Sequence, residues 1–358
     1  MIHIKTYDLG PHPLVVFSQE KWLVLCKQSF WEDMMSFFST LRATSAALVF
    51  CASAAFAETP VLRAAVLEFG TVNWELDSIK HNGFDTANGF ELEVQGVAGG
   101  SAAQVAFQGG EADVIVSDWL WVARQRAEGK DYIFVPYSKA VGALLVPEGS
   151  AVTSLADLKG GKIGIAGGPL DKSWLILRAY AEKMHGMDLV TETEQVFGAP
   201  PLIFKTALQG ELDGAINFWH FLAKMEAGGM TPLITVEDAA RELGLDPETP
   251  LLGYVMRGET LRDHPELVEG MAAASRAAKD LLAGSDAEWD RLRPRMNAKT
   301  DAQFDALKAG FRAGIPADAP VDEAAAARML ALMAELGGEK LIGSATTLPE
   351  GVFVQPGS

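Results

Sequence analysis

Two tryptophan-bearing segments carry the side chains best suited to hold a small molecule. Ser117-Asp118-Trp119 and Asn217-Phe218-Trp219 stand one hundred residues apart, each following a short apolar stretch. A tryptophan offers a flat face that attracts a ring or a cation by about 0.5–2 kcal/mol. Trp119 and Trp219 are therefore expected to face each other across a shared cleft; the alternative for either one is a place in the core. Ser117, Asp118 and Asn217 either reach a ligand or cap the helix that follows. Asp118 suits an amine or amidine and disfavours an anion, whereas Phe218 gives the second segment a more apolar chemistry. A third segment, Gly167-Gly168-Pro169-Leu170-Asp171-Lys172-Ser173-Trp174, opens a helix whose free N–H groups and positive dipole end favour anions. Asp171 there is also a natural cap, while Lys172 and Ser173 keep an anion possible. Phe69, Trp74, Ser101, Tyr137 and His220 complete the expected lining, with Glu68 and Gly100. His220 stands alone and reads as a hydrogen-bonding group, so no metal, cofactor or catalytic residue is expected.

The elements that position these residues repeat. Gly110-Glu111-Ala112-Asp113-Val114-Ile115-Val116-Ser117-Asp118-Trp119 aligns without gaps on Gly210-Glu211-Leu212-Asp213-Gly214-Ala215-Ile216-Asn217-Phe218-Trp219, and the same offset pairs Trp74 with Trp174. Each unit reads as strand, helix, extended segment, short helix, buried strand and helix. Gly83 and Gly186 follow the first helix of each unit, as C-terminal caps would. Alternating strands and helices imply parallel sheets covered on both faces, with ligands beyond the carboxyl ends of the strands. The fold class is α/β: two lobes of similar design, the second inserted in the first. The first lobe is expected over 58–146 and 251–345, the second over 147–250, with 346–358 a tail. Ser154 is the expected cap of a short helix opening the second lobe. Ala-rich helices are expected around Pro265–Ala283, Asp286–Arg293, Thr300–Ala313 and Asp322–Leu336. Two crossings between lobes make a hinge.

Composition narrows the function classes. The 358 residues are 49% hydrophobic and 22% charged, with a net charge of −17, which disfavours nucleic acid and anionic membrane surfaces as partners. Ser45–Ala57 is an apolar run of signal-peptide length ending in Ala55-Phe56-Ala57, so export with cleavage after Ala57 is expected. Residues 1–57 are then excluded from the fold, with translation starting at Met1, Met34 or Met35. They contain both cysteines, Cys26 and Cys51, and as many acidic as basic residues, so the mature chain keeps the full charge and no cysteine. Nothing later approaches the roughly 18–20 apolar residues of a membrane span. A free, monomeric protein is expected.

In order along the chain, the export signal, Gly109-Gly110-Glu111-Ala112-Asp113-Val114, Ser154–Ile165 and Asp263-His264-Pro265-Glu266-Leu267-Val268 resemble the periplasmic substrate-binding proteins of ABC transporters of the nitrate, sulfonate, taurine and thiamine-precursor type. The resemblance covers about residues 60–285. It implies a periplasmic binding protein type II-like clamp that closes on a small heteroaromatic, amine or sulfonate-like ligand and docks on an inner-membrane permease. Two other readings accompany it. One is a pyrimidine synthase of thiamine synthesis with the same fold, implying a cysteine-rich iron motif that this chain lacks. The other is a periplasmic sensor subunit.

Overall fold

The computed structural model describes residues 59–354; the expected signal sequence, its cleavage site, both cysteines and the last four residues lie outside them. Among the described residues, the strands in chain order are β1 Val61–Leu67, β2 Glu91–Val97, β3 Val114–Asp118, β4 Tyr132–Ser138, β5 Ala143–Pro147, β6 Lys162–Ala166, β7 Glu194–Gly198, β8 Gly214–Ile216, β9 Met230–Thr235 and β10 Leu252–Arg257. They form two five-stranded sheets, ordered β2-β1-β3-β10-β4 and β7-β6-β8-β5-β9. The first sheet anchors one lobe and the second sheet the other.

The expected all-parallel sheets are mixed instead. β1 runs parallel to β2 and β3, but β10 is antiparallel to both β3 and β4. β5 is likewise antiparallel to β8 and β9. The reason is the crossing itself. The first residue of β10, Leu252, pairs with the last residue of β3, Asp118, so the returning chain enters at the cleft end and runs away from it. β5 does the same in the other sheet, its Ala143 opposite Thr235 at the end of β9. This exchange also moves a boundary: β5 lies in the second sheet, so the first crossing falls before Ala143 and not at 147. The two crossing segments are tied together by Lys139 and Glu248, 2.7 Å apart.

The repeat has a structural cause at the far end of each sheet. The Asp113 carboxylate accepts the backbone N–H of Arg63 at 3.0 Å and pairs with its guanidinium. Asp213 accepts the N–H of Lys162 at 2.7 Å in the other lobe. Gly110 and Gly210 precede them at φ +80° and +74°, a left-handed turn that glycine adopts without steric cost. The Gly-Glu-x-Asp pattern thus ties off the start of a strand pair, remote from the ligand end. Gly83 and Gly186, at φ +67° and +62°, follow their helices in the expected conformation. Ser154 caps its helix through a reciprocal box with Asp157.

Of the C-terminal helices, Pro265–Gly284, Asp286–Leu292, Asp301–Ala313 and Glu323–Ile342, the first packs on the helix Val72–His81 of the first lobe, the third also meets Trp219–Glu226 of the second, and the last touches helices of both lobes. The last one passes a kink at Gly338, φ +57°, and so runs beyond the expected end at Leu336. The expected tail is not free either. Phe134 donates to the Val352 carbonyl at 2.7 Å, and Val354 donates back to Phe134 at 3.0 Å. Val352 and Phe353 are buried by this extra pairing along β4.

Candidate ligand-binding cleft

A cavity of about 530 Å³ opens where the strands of both sheets end. The first lobe contributes Leu67, Thr71, Val116, Asp118 and Tyr137. The crossings contribute Val141, Leu251 and Leu252, and the second lobe Leu170, Asp171, Lys172, Ser173 and the run Asn217–His220. Leu341 enters from the last helix. The wall is mostly aliphatic and aromatic, with a few polar groups, as small-molecule sites usually are.

Nine of the expected site residues meet here: Asp118, Tyr137, Asp171, Lys172, Ser173, Asn217, Phe218, Trp219 and His220. The other seven, Phe69, Trp74, Ser101, Ser117, Trp119, Glu68 and Gly100, do not line the cavity. Trp119 is fully buried against Phe353, ring centroids 5.7 Å apart. It belongs to a core with Met329 and Met333, because the last helix and the chain end cover that side of the first lobe. The expected Trp119–Trp219 sandwich is therefore absent. Ser117 is buried on the other side of β3 from Val116 and Asp118, as strand alternation requires, near Gln104 Nε2 at 3.5 Å. Trp74 is 5% exposed and stands behind the cavity wall. Phe69 is 86% exposed on the turn after β1, outside the lining. Ser101 is exposed at the start of the helix Gly100–Gln108, outside the lining.

Trp219 takes a different role from that of its repeat partner. It reaches across to the first lobe, in a T-shaped contact with Trp74 at 6.1 Å and 89°. Trp74 in turn meets Trp289 at 5.8 Å and Phe311 at 6.0 Å. The ring also lies on Gly310, where an added Cβ would come within 2.8 Å of it. Trp219 thus bounds the cavity and also packs on the first lobe.

Two of the three charged candidates, Asp118 and Lys172, neutralise each other across the cleft. Lys172 Nζ sits 2.8 Å from Asp118 Oδ2, and the Asp118 charge raises the Lys172 pKa. Asp118 Oδ1 also accepts the Trp121 N–H at 3.0 Å and so caps its own helix. Asp171 accepts the Trp174 N–H at 3.1 Å, and burial pushes its carboxyl above the usual range. Asn217 is held by its own chain, donating to the Pro200 carbonyl at 2.9 Å and accepting from the Phe218 N–H at 2.8 Å. Tyr137, buried and hydrogen-bonded to Thr71, has its phenol pushed well above its ordinary value, chiefly by burial.

Burial lowers the His220 pKa from 6.5 to about 4, so the imidazole is neutral at physiological pH. The unfolded chain then takes up this proton more readily than the folded one. The stability His220 contributes is complete above pH 6.5 and is lost as the pH falls toward 4. Between those limits the loss is expected to be roughly 2 kcal/mol, discounted for partial exposure. Denaturant unfolding of the native chain and of His220→Asn checks it: the variant should lose that part of the pH dependence, and an unchanged profile contradicts it.

Among the residues not anticipated, Thr71 and Val72 stand at the start of the helix Val72–His81 beside the singled-out Trp74. Leu251 precedes β10 and Leu252 opens it. Leu341 carries no sequence signal, since only the kink at Gly338 brings it to the cleft.

Two mixed sheets that exchange a strand around a cleft define a two-lobed, periplasmic binding protein type II-like α/β protein. The chain belongs to the NMT1/THI5-like family, whose model matches residues 79–287. No curated protein matches the sequence. Among solved structures it is similar to the periplasmic aliphatic sulphonate-binding protein SsuA of Escherichia coli, at 19% identity and TM-score 0.62, covering 81% of this chain and 97% of that one. The alkanesulfonate-binding SsuA of Xanthomonas axonopodis pv. citri, bound to MOPS, matches at 16% identity and TM-score 0.61, over 84% and 99%. The periplasmic nitrate-binding protein NrtA of Synechocystis matches at 12% identity and TM-score 0.52, over 70% and 69%. At these identities the likeness is one of fold.

Proposed function

We propose that this protein is the periplasmic solute-binding component of an ABC-type uptake transporter, capturing a small ligand between its lobes without transforming it. The observation that carries this reading is the 530 Å³ cavity at the strand ends, walled by both lobes and both crossings. Its size suits a metabolite of one or two rings. Lys172 is tied to Asp118, and among the described residues His220 has no acidic partner to activate it, which supports a wall that holds and orients. Two crossings joined by Lys139 and Glu248 form a hinge on which the lobes close. Residues 1–57 direct export, and the closed, loaded form is what a permease in the inner membrane accepts. The structures it resembles include sulfonate- and nitrate-binding proteins of this kind.

A melting screen of the purified chain against sulfonates, amines, pyrimidines and other heterocycles tests the reading. A true ligand at 100 times its dissociation constant should add about 2.7 kcal/mol of stability. It should also change tryptophan emission, since Trp219 bounds the cavity. Cells lacking the gene should then fail to accumulate that compound. Normal accumulation in such cells would remove the transport reading, and turnover of the compound by the pure protein would replace it with an enzymatic one.

A further inference from the structure

A second, much smaller cavity lies beside the capture cleft and shares Val141, Lys172 and Leu251 with it. Its volume is about 20 Å³. One water needs about 10–15 Å³ of such space, so the cavity admits a single water molecule. The wall is mostly aliphatic, but four polar side chains reach it: Lys172, Glu237, Asp246 and Thr249.

Thr249 is the residue that calls for an occupant. It is 6% exposed, and its Oγ1 is buried with no hydrogen-bond partner among the described residues. Such a hydroxyl is destabilising when left alone, and native proteins satisfy it with an ordered water where there is room. Lys172 has donors to spare. Its ammonium carries three protons, and its one hydrogen bond among the described residues goes to Asp118 Oδ2 at 2.8 Å. Asp246 holds the Glu248 N–H on one oxygen at 3.0 Å, which leaves its second oxygen to accept. Glu237 is paired with Arg241. A water in this cavity accepts from Lys172, exchanges a hydrogen bond with Thr249 and donates to Asp246, the three partners that buried waters usually have.

We propose that Thr249 is a positioning residue: through one buried water it fixes the Lys172 ammonium that pairs with Asp118 across the lobes. Thr249 does not itself line the capture cleft. A lysine stem is flexible, so one contact with Asp118 leaves its head free to swing, and a second anchor holds it. That anchor belongs to the returning crossing, since Thr249 follows Glu248, which joins the two crossings through Lys139. The placement of the cleft's ammonium is thereby coupled to the hinge. The inference goes beyond the solute-binding reading and holds whatever compound the cleft takes.

The test needs no ligand. A high-resolution crystal structure of the purified native chain should show a water within hydrogen-bond reach of both Thr249 Oγ1 and Lys172 Nζ. Thr249→Ser keeps the hydroxyl and should keep that water. Thr249→Val keeps the branched shape without the hydroxyl and should melt about 1–2 °C below the native chain. In a Lys172→Met background the same change should cost no more than about half as much, because the water then has no ammonium to hold. Absence of density for the water overturns the proposal. So does a Thr249→Val chain that melts as high as the native one or higher, since removing the hydroxyl then relieves an unsatisfied group. Equal losses in the native and Lys172→Met backgrounds overturn the positioning role and make Thr249 a structural residue alone.

Discussion

Replacing Lys279 with alanine is expected to lower stability by about 3–5 kcal/mol, because it strands a charge in the core of the first lobe. Glu75 and Lys279 are 0% and 2% exposed and lie 2.9 Å apart. One carboxylate oxygen of Glu75 also accepts from Tyr254 at 2.7 Å and from Ser275 at 2.6 Å. The other has no hydrogen-bond partner among the described residues. Burial lowers the Lys279 pKa despite the neighbouring carboxylate, so the pair is costly to hold and more costly to break. Lys279 also lies 5.1 Å over the ring of Tyr137, which lines the cavity. The melting temperature of Lys279→Ala should fall by roughly 10 °C. The double change Glu75→Gln with Lys279→Met should recover most of it, since no buried charge then goes unpaired. A double variant as unstable as the single one would contradict this.

Trp219→Ala is expected to weaken ligand binding at least about tenfold while changing stability far less than a core truncation would. The side chain is half-buried and bounds the cavity. Its T-shaped contact with Trp74 is of a kind that contributes about 0.5–1.5 kcal/mol beyond area burial, and it acts between the lobes. Removing it takes away both a wall of the site and a contact of the closed form. Trp119→Ala supplies the contrast. That ring is fully buried, so about 3–5 kcal/mol of stability should go with little change in affinity for the fraction that remains folded. Calorimetric titration beside a denaturation curve separates the two. Equal affinity losses in both variants would mean that the repeat-related tryptophans do not differ in role.

That difference marks where the sequence stops being informative. The repeat is legible because Gly110, Asp113, Gly210 and Asp213 solve the same local problem in both lobes, a turn and a strand-end tie. Asp171, Lys172, Asn217, Phe218 and His220 were accessible for a similar reason: strand-to-helix turns lie at the cleft by topology. What the turn cannot disclose is what packs behind it. Trp119 and Trp219 share a local sequence, but residues 352–354 and the last helix cover only the first. Those partners lie more than two hundred residues away in the chain. The antiparallel strands β5 and β10 are hidden for a related reason, since their direction follows from where the chain crosses and not from their own residues. The Asp118–Lys172 pair joins two lobes and was visible only as two opposed hints about ligand charge.

The most direct measurement is a crystal structure of the native chain saturated with the ligand that the melting screen identifies. Electron density for that ligand is expected inside the 530 Å³ cavity, against Phe218, Trp219 and Tyr137, with the Asp118–Lys172 pair closed beside it. Density for the ligand at another surface, with the cavity between the lobes unfilled, would contradict the assignment of this cleft as the capture site.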